Sequence, residues 1–270
     1  MPLLQLIFNK FGYQISFKKI KKSIHNGNGK LNLNIGAGKY VINGFKSLDI
    51  YTPHYYKSKD DFLKRRIEYN IRKDSIPFKK NTVDNIYCSM VIEHIENEFV
   101  FKLLKESYRV LKKRGVLRIA CPDSEFLFNV SKFDNDYWKW RHPTLMNKNR
   151  FETNWDELCQ YDFLIKEIAA PRMRFYKNKI NSKVINIDDA RKIEYQDFCE
   201  LIKKDLFFRE NHPGDHINNW DFKRLKEIGE EIGFKYVIKS KYRGSVSIEM
   251  QSDEFDKTAP QMSLYVEFIK

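Results

Sequence analysis

The sequence contains few of the residues that mark special classes of protein. Its 270 residues include only 4 cysteines, 11 glycines and 8 prolines, and no cysteine lies in a CxxC pair. This excludes collagen-like and low-complexity chains and argues against a zinc module. No apolar run approaches the ~20 residues of a membrane-spanning helix. Since no secretory signal follows Met1, we expect a reduced, cytoplasmic protein.

Acidic residues are absent from positions 1–30, and basic residues dominate the whole chain. Lysine and arginine total 49 against 36 aspartates and glutamates, so the formal net charge is +13. Two interpretations stay open: attraction to an anionic partner, or a lysine-rich composition without a specific partner.

Residues 1–29 form an apolar and basic extension. We expect this extension to pack on the body of the protein, with weak contact to a membrane surface as the alternative.

Strand and helix patterns alternate along most of the remaining chain. Apolar runs predict strands at 31–35, 47–51, 83–90, 116–121, 234–239 and 262–269. Apolar periodicity predicts a helix at 97–113, and a second helix at 220–232 is capped by Asn218 or Asn219. This order predicts an α/β fold with a Rossmann-like, mostly parallel sheet and flanking helices. Residues 124–211, helical near 157–169 and 188–207, form a predicted insertion over the sheet's crevice between a body at 30–123 and 212–270.

A glycine turn follows the first predicted strand. Gly36-Ala37-Gly38 allows a sharp turn and lets the backbone approach a ligand without an intervening β carbon. Asp49 ends the next strand, where a carboxylate accepts hydrogen bonds from both hydroxyls of a ribose. The third glycine of a dinucleotide motif is missing, and the link between the strands leaves little room for a full crossover helix. The pattern therefore predicts a nucleoside site that is not a nicotinamide site.

These segments resemble the opening motifs of class I S-adenosylmethionine-dependent methyltransferases, of the type 11-like kind. The likeness continues in the family's order and spacing through 76–78, 81–84, 93–95 and 109–115. It implies S-adenosylmethionine as the cofactor, with the carboxylate of the cofactor at Gly36–Gly38 and its ribose at Asp49. On the adenine side, the resemblance implies contacts with Asn70, Asp74 and Ile76. At the end of the third strand, it implies contacts with Ser89 and Met90.

Two departures from the family pattern bear on this assignment. Asn34 stands where the family often has an acid, which weakens the contacts near the cofactor's amino group and leaves open a non-catalytic binding protein. Lys113-Arg114 replaces a Pro-Gly pair. On the adenine side, Asp74 has a second interpretation as a residue that only caps its loop.

The C-terminal part resembles a branch of this family found with polysaccharide and surface-glycan genes. The likeness lies in residues 212–216, 220–221, 231–234 and 263–267. It implies O-methylation of a sugar in a surface polysaccharide or its precursor. Methylation of nucleic acid or of another small molecule is the alternative. The segment after the strand at 83–90 lacks the Asn/Asp-Pro-Pro-Tyr set of base-methylating enzymes, so no stable nucleic-acid partner is expected.

Histidines are the candidates for the proton acceptor in such a reaction. A sugar hydroxyl loses its proton as its oxygen attacks the methyl group, and histidine titrates near neutrality. His216 is the predicted base, with Asp215 to orient it and His94 in reserve. In two alternatives, Asp215 and His216 only fix the loop, or they hold a divalent metal together with His212.

Tryptophans and one charged pair have structural as well as functional interpretations. Trp138, Trp140 and Trp155 are expected in a core, with stacking on the acceptor as the alternative. Glu106 and Arg109 are expected at a helix surface or in a structural ion pair.

Overall fold

A computed structural model describes residues 29–133, 136–141, 160–170, 192–204 and 206–270. Its centre is a seven-stranded sheet in the order β3-β2-β1-β4-β5-β7-β6. The strands are β1 Asn32–Ile35, β2 Phe45–Asp49, β3 Arg66–Glu68, β4 Val83–Ser89, β5 Leu111–Pro122, β6 Tyr236–Ser240 and β7 Ser263–Ile269. Pairs among β1–β5 are parallel, and β7 runs antiparallel to both of its neighbours. The predicted α/β fold is confirmed.

The central strands are buried on both faces, as parallel strands under helices must be. All four residues of β1 are buried, including two asparagines. Asn85 donates to the side-chain oxygen of Asn32 at 2.9 Å, and the Asn34 amide donates to the Tyr40 carbonyl at 3.4 Å. Hydrogen bonding thus compensates for burying amides where the apolar neighbours Leu33 and Ile35 fill the core.

The described residues include six α-helices. They are α1 Lys59–Leu63, α2 Asn97–Val110, α3 Ser124–Phe133, α4 Gln160–Ile168, α5 Tyr195–Lys203 and α6 Phe222–Ile232. The apolar face predicted for α2 is buried at Val100, Leu103, Leu104, Ser107 and Val110. The predicted end of α2 at 113 is wrong, because Leu111 has extended backbone and pairs with Val83 at the start of β5.

The cap of α6 also differs from the prediction. Asp221, rather than Asn218 or Asn219, is the N-cap residue, and its carboxylate accepts from the Arg224 N–H at 2.8 Å. The Asn218 amide donates to the Ile95 carbonyl instead, and the Asn219 amide donates to the Cys199 sulfur. The two asparagines therefore fasten this loop to other elements.

The described parts of the predicted insertion share an apolar core of their own. α3, α4 and α5 bury Phe128, Leu164 and Phe198 there. Trp138 is 2% exposed and stacks on Phe163 with ring centroids 5.8 Å apart, so its expected core position is confirmed. Several predicted features lie outside the described residues. They are residues 1–28 of the extension, the predicted helical residues 157–159 and 188–191, Trp155 and Cys159.

Three of the four cysteines lie in the described residues. Cys88, Cys121 and Cys199 are free and buried. Among the described residues, none of the helices has both the length and the apolar character that crossing a membrane requires.

Candidate active site

The glycine turn after β1 has the conformation and the crowding that require glycine. Gly36 has φ +66° and Gly38 has φ +54°, both in the left-handed region. A β carbon on Gly36 would lie 2.2 Å from a methyl carbon of Val91. The turn therefore brings backbone against the chain that follows β4, at the carboxyl edge of the sheet where ligands bind in such folds.

Asp49 ends β2 beside this turn, as predicted. Its Oδ2 accepts from the Gly38 N–H at 2.7 Å and from the Tyr56 hydroxyl at 2.6 Å, and its Oδ1 accepts from the Ile50 N–H at 2.8 Å. Oδ1 keeps one acceptor position for a ribose hydroxyl. The Tyr56 hydroxyl also lies 2.8 Å from the Gly38 carbonyl, so its single proton has a second acceptor available. Burial and the Asp49 carboxylate raise the pKa of Tyr56.

The predicted adenine side is a loop held by its own polar groups. The Asp74 carboxylate accepts from the Asn70 N–H at 2.7 Å, so the capping interpretation of Asp74 applies in this structure. Ile76 is buried, and its N–H donates to Glu106 at 2.9 Å. Arg109 pairs with Glu106 at 2.7 Å, which confirms the expected ion pair. Contacts of Asn70, Asp74 and Ile76 with adenine stay a prediction.

Ser89 and Met90 lie half-buried where β4 reaches the same edge. The Met90 N–H donates to the Ala120 carbonyl at 2.8 Å, and Met90 has φ +54° although it is not glycine. Such strained backbone occurs at ligand sites, where surrounding structure holds it in place. Contact of Ser89 and Met90 with the cofactor stays a prediction.

Two histidines meet at this edge from distant parts of the sequence. His94 follows β4, His216 precedes α6, and their ring centroids lie 4.7 Å apart. The Nδ1 of His94 lies 3.0 Å from the Asp215 carbonyl, and the Nδ1 of His216 contacts the Glu167 carbonyl. A carbonyl oxygen only accepts, so each Nδ1 carries the hydrogen and each neutral ring leaves Nε2 with a free lone pair.

Glu93 completes this cluster, and the sequence analysis did not select it. The Glu93 side chain is 2% exposed, and its Oε1 lies 3.9 Å from the Nε2 of His94. Neither carboxylate oxygen has a hydrogen-bond partner in another described residue. Burial raises the pKa of Glu93 to about 8, lowers that of His94 to about 3 and lowers that of His216. Burial therefore disfavours the charged form of all three side chains.

The predicted orienting role of Asp215 takes a different form in the structure. Its carboxylate accepts from Arg209 at 2.7 Å, while its backbone carbonyl orients His94. The carbonyl of Glu167, in α4, orients His216. The alternative metal trio of His212, Asp215 and His216 does not assemble: among the described residues, the ligand atoms that converge are those of Glu93, His94 and His216.

Tyr55 connects the two halves of the site and was also missed. A β carbon on Gly214 would lie 2.8 Å from the Tyr55 hydroxyl. Burial, then Asp49 and Asp215, raise the pKa of Tyr55. The ring therefore lies between the residue predicted to hold the ribose and the histidine loop. Its neighbour Tyr56 was equally unmarked, because no motif distinguishes either tyrosine from the 13 others in the chain.

Residues 45–119 match the family model described as "Methyltransferase domain". No curated protein matches the chain. Similar solved structures include an S-adenosylmethionine-dependent methyltransferase from Archaeoglobus fulgidus, 13% identical with a TM-score of 0.43, aligned over 100% of this chain and 94% of that one. Another, from Thermotoga maritima and described as a possible histamine N-methyltransferase, is 14% identical with a TM-score of 0.40, over 89% and 82%.

A TehB-like methyltransferase from Corynebacterium glutamicum is 21% identical with a TM-score of 0.29. That alignment covers 35% of this chain and 55% of the other, so this chain spans about half the length of that relative. Residues 45–119 are thus similar to methyltransferase domains, and this likeness implies S-adenosylmethionine as the cofactor. The turn at Gly36 and the free acceptor position on Asp49 fit that cofactor.

Proposed function

We propose that this chain transfers a methyl group from S-adenosylmethionine to a hydroxyl oxygen of a sugar, in a surface polysaccharide or its precursor. The observation that supports an oxygen acceptor is the pair of unprotonated Nε2 atoms on His94 and His216, at the sheet edge that carries Asp49. The choice of a sugar as the acceptor rests on the resemblance of residues 212–216, 220–221, 231–234 and 263–267 to the glycan-associated branch. The proposal includes a cytoplasmic location, consistent with the free thiols.

Binding is assigned to the turn and to the strand ends. The backbone of the Gly36–Gly38 turn contacts the amino-acid end of the cofactor, Asp49 accepts from the ribose, and the loop from Asn70 to Ile76 borders adenine. Ser89 and Met90 face the remaining side of the bound cofactor. When bound, the cofactor supplies an activated methyl group on a sulfonium, so the chain's task is to align the acceptor and take one proton.

His216 accepts that proton on Nε2, and His94 is the reserve base. The Nδ1–H of His216 donates to the Glu167 carbonyl and keeps the ring in the required tautomer. Burial alone would raise the pKa of the Glu167 carboxyl, but Lys166 and Arg141 outweigh it and lower that pKa to about 2. The resulting carboxylate stabilises the protonated ring of His216. The orienting role that sequence analysis gave to Asp215 thus goes to the Glu167 carbonyl.

Two titrations and one screen test the proposal. Isothermal titration with S-adenosylmethionine and S-adenosylhomocysteine measures cofactor binding. A screen with isotope-labelled methyl donor then compares free sugars, nucleotide sugars, lipid-linked glycans and nucleic acid. We expect label on a sugar hydroxyl. Label on nucleic acid, with affinity that falls steeply with salt, favours the nucleic-acid alternative. Cofactor binding without transfer to any acceptor identifies a non-catalytic binding protein.

A further inference from the structure

We propose that Glu93, His94 and His216 form a binding site for one divalent transition-metal ion. Each residue offers one ligand atom, and the three atoms all lie within 4.8 Å of one another. Imidazole nitrogens with a carboxylate are ligands that zinc, iron, cobalt and manganese accept in proteins. Binding of the ion does not depend on which acceptor the domain methylates.

Both histidines are already in the tautomer that binds a metal. The Asp215 and Glu167 carbonyls hold the two Nδ1–H groups, so both Nε2 lone pairs are free. Metal-ligating histidines almost always donate their second ring N–H to a carbonyl or carboxylate in this way. Salt bridges anchor the residues that supply these carbonyls, since Asp215 pairs with Arg209 and Glu167 pairs with Lys166.

Glu93 provides an independent observation. Its two carboxylate oxygens are buried and receive no hydrogen bond from any other described residue, which is a costly state for a polar group. A cation bound to Oε1 or Oε2 provides the missing partner.

The backbone fixes the two ligand-bearing segments together. The Ile217 and Asn218 N–H groups both donate to the Glu93 carbonyl, at 2.9 and 3.1 Å. His216 therefore lies beside Glu93 and His94 before any ion binds, and the three ligands need little rearrangement. Such a set leaves coordination positions for water or for an acceptor hydroxyl. A cation-bound Nε2 accepts no proton, so His216 would be a ligand and not the base in a protein that holds the ion.

Direct titration of the full-length, untagged chain tests the site. After chelation and dialysis, Zn²⁺, Mn²⁺ and Co²⁺ are titrated by calorimetry, with the visible spectrum of Co²⁺ as a second readout. We expect one ion per chain, with nitrogen coordination in the Co²⁺ spectrum. Glu93→Gln and His216→Ala should each weaken binding by about 10- to 100-fold. His212→Ala, in the same loop but outside the cluster, is the matched control and should bind as the unmodified chain does.

Folding is checked for every variant by its melting temperature and its S-adenosylmethionine affinity. Glu93→Gln preserves the shape of the side chain and cannot ionise, so a folded variant separates ligation from packing. Absence of binding to the unmodified chain, or binding that both variants retain, overturns the inference. Ion binding without methyl transfer to any acceptor contradicts only the proposed function. Methyl transfer by a chain that binds no ion contradicts only this inference.

Discussion

Val91 occupies the space that the β carbon of any residue other than glycine at position 36 would need. The gap is 2.2 Å, and Gly36 also has φ +66°. Gly36→Ala therefore has two costs, backbone strain of about 1–2 kcal/mol and a steric clash of about 1–3 kcal/mol. We expect a lower free energy of unfolding, measured by urea denaturation, and weaker binding of S-adenosylmethionine.

Gly44→Ala separates these two costs. Gly44 has φ +79°, but a β carbon there would meet nothing within 4 Å, so this variant should show the backbone cost alone. Gly36→Ala combined with Val91→Ala should recover much of the cofactor affinity. Equal destabilisation by Gly36→Ala and Gly44→Ala would mean that contact with Val91 is unimportant.

Asp49→Ala should weaken S-adenosylmethionine binding by roughly 2–4 kcal/mol, or about 30- to 1,000-fold in Kd, because two charge-assisted hydrogen bonds are lost. Tyr56→Phe is the control. The Tyr56 proton can move from Asp49 to the Gly38 carbonyl when the ribose binds, so removing the hydroxyl should change Kd by less than about fivefold. Calorimetric titration measures both variants. Unchanged affinity in a folded Asp49→Ala variant would contradict the placement of the ribose.

His216→Ala should reduce turnover by about 10²–10⁴ and leave cofactor affinity unchanged, because the residue acts on the acceptor's proton. The measurement is methyl transfer from labelled donor at saturating cofactor, with His212→Ala as the variant that should keep normal turnover. Near-normal turnover of His216→Ala would remove His216 from the mechanism. Loss of activity on chelation, restored by one added metal, would make it a ligand rather than the base.

Glu106→Gln should lower stability in a pH-dependent way. The hydrogen bonds from Arg109 lower the pKa of Glu106 below its ordinary value of 4.5. The native state therefore favours the ionised form, and the stabilisation is fully present above pH 4.5 and is lost as pH falls through the lower, folded-state pKa. Urea denaturation of the unmodified chain and the variant should differ at pH 7 and converge in acid. A difference independent of pH would show that the charge of Glu106 is unimportant.

The spacing of apolar residues in the sequence predicted the helices and strands that pack in the main core. β1 and β4 are buried runs, and α2 has a regular apolar face, so each pattern follows directly from burial. β3 and α1 were not predicted, because three and five residues are too short for a period to show. The end of α2 was misplaced because Leu111 continues the helical period while its backbone belongs to a strand.

The site was predictable where ligand-binding geometry is local. Gly36 and Asp49 lie at strand ends, and the order of strands alone brings those ends together. The approach of His216 to His94 depends on a loop more than 100 positions away in the sequence, which no local pattern specifies. Glu167 was missed for the same reason, because its carbonyl acts on His216 and a backbone carbonyl has no sequence signature.

β7 lies between β5 and β6 although it follows both of them in the chain. During synthesis on the ribosome, β5 therefore emerges with one edge unpaired, and β6 emerges with no neighbour at all. Three side chains of the main core, Leu264, Val266 and Phe268, arrive later still. The nascent chain thus exposes open strand edges and an incomplete core until residue 269 clears the exit tunnel, and exposed edges of this kind favour aggregation.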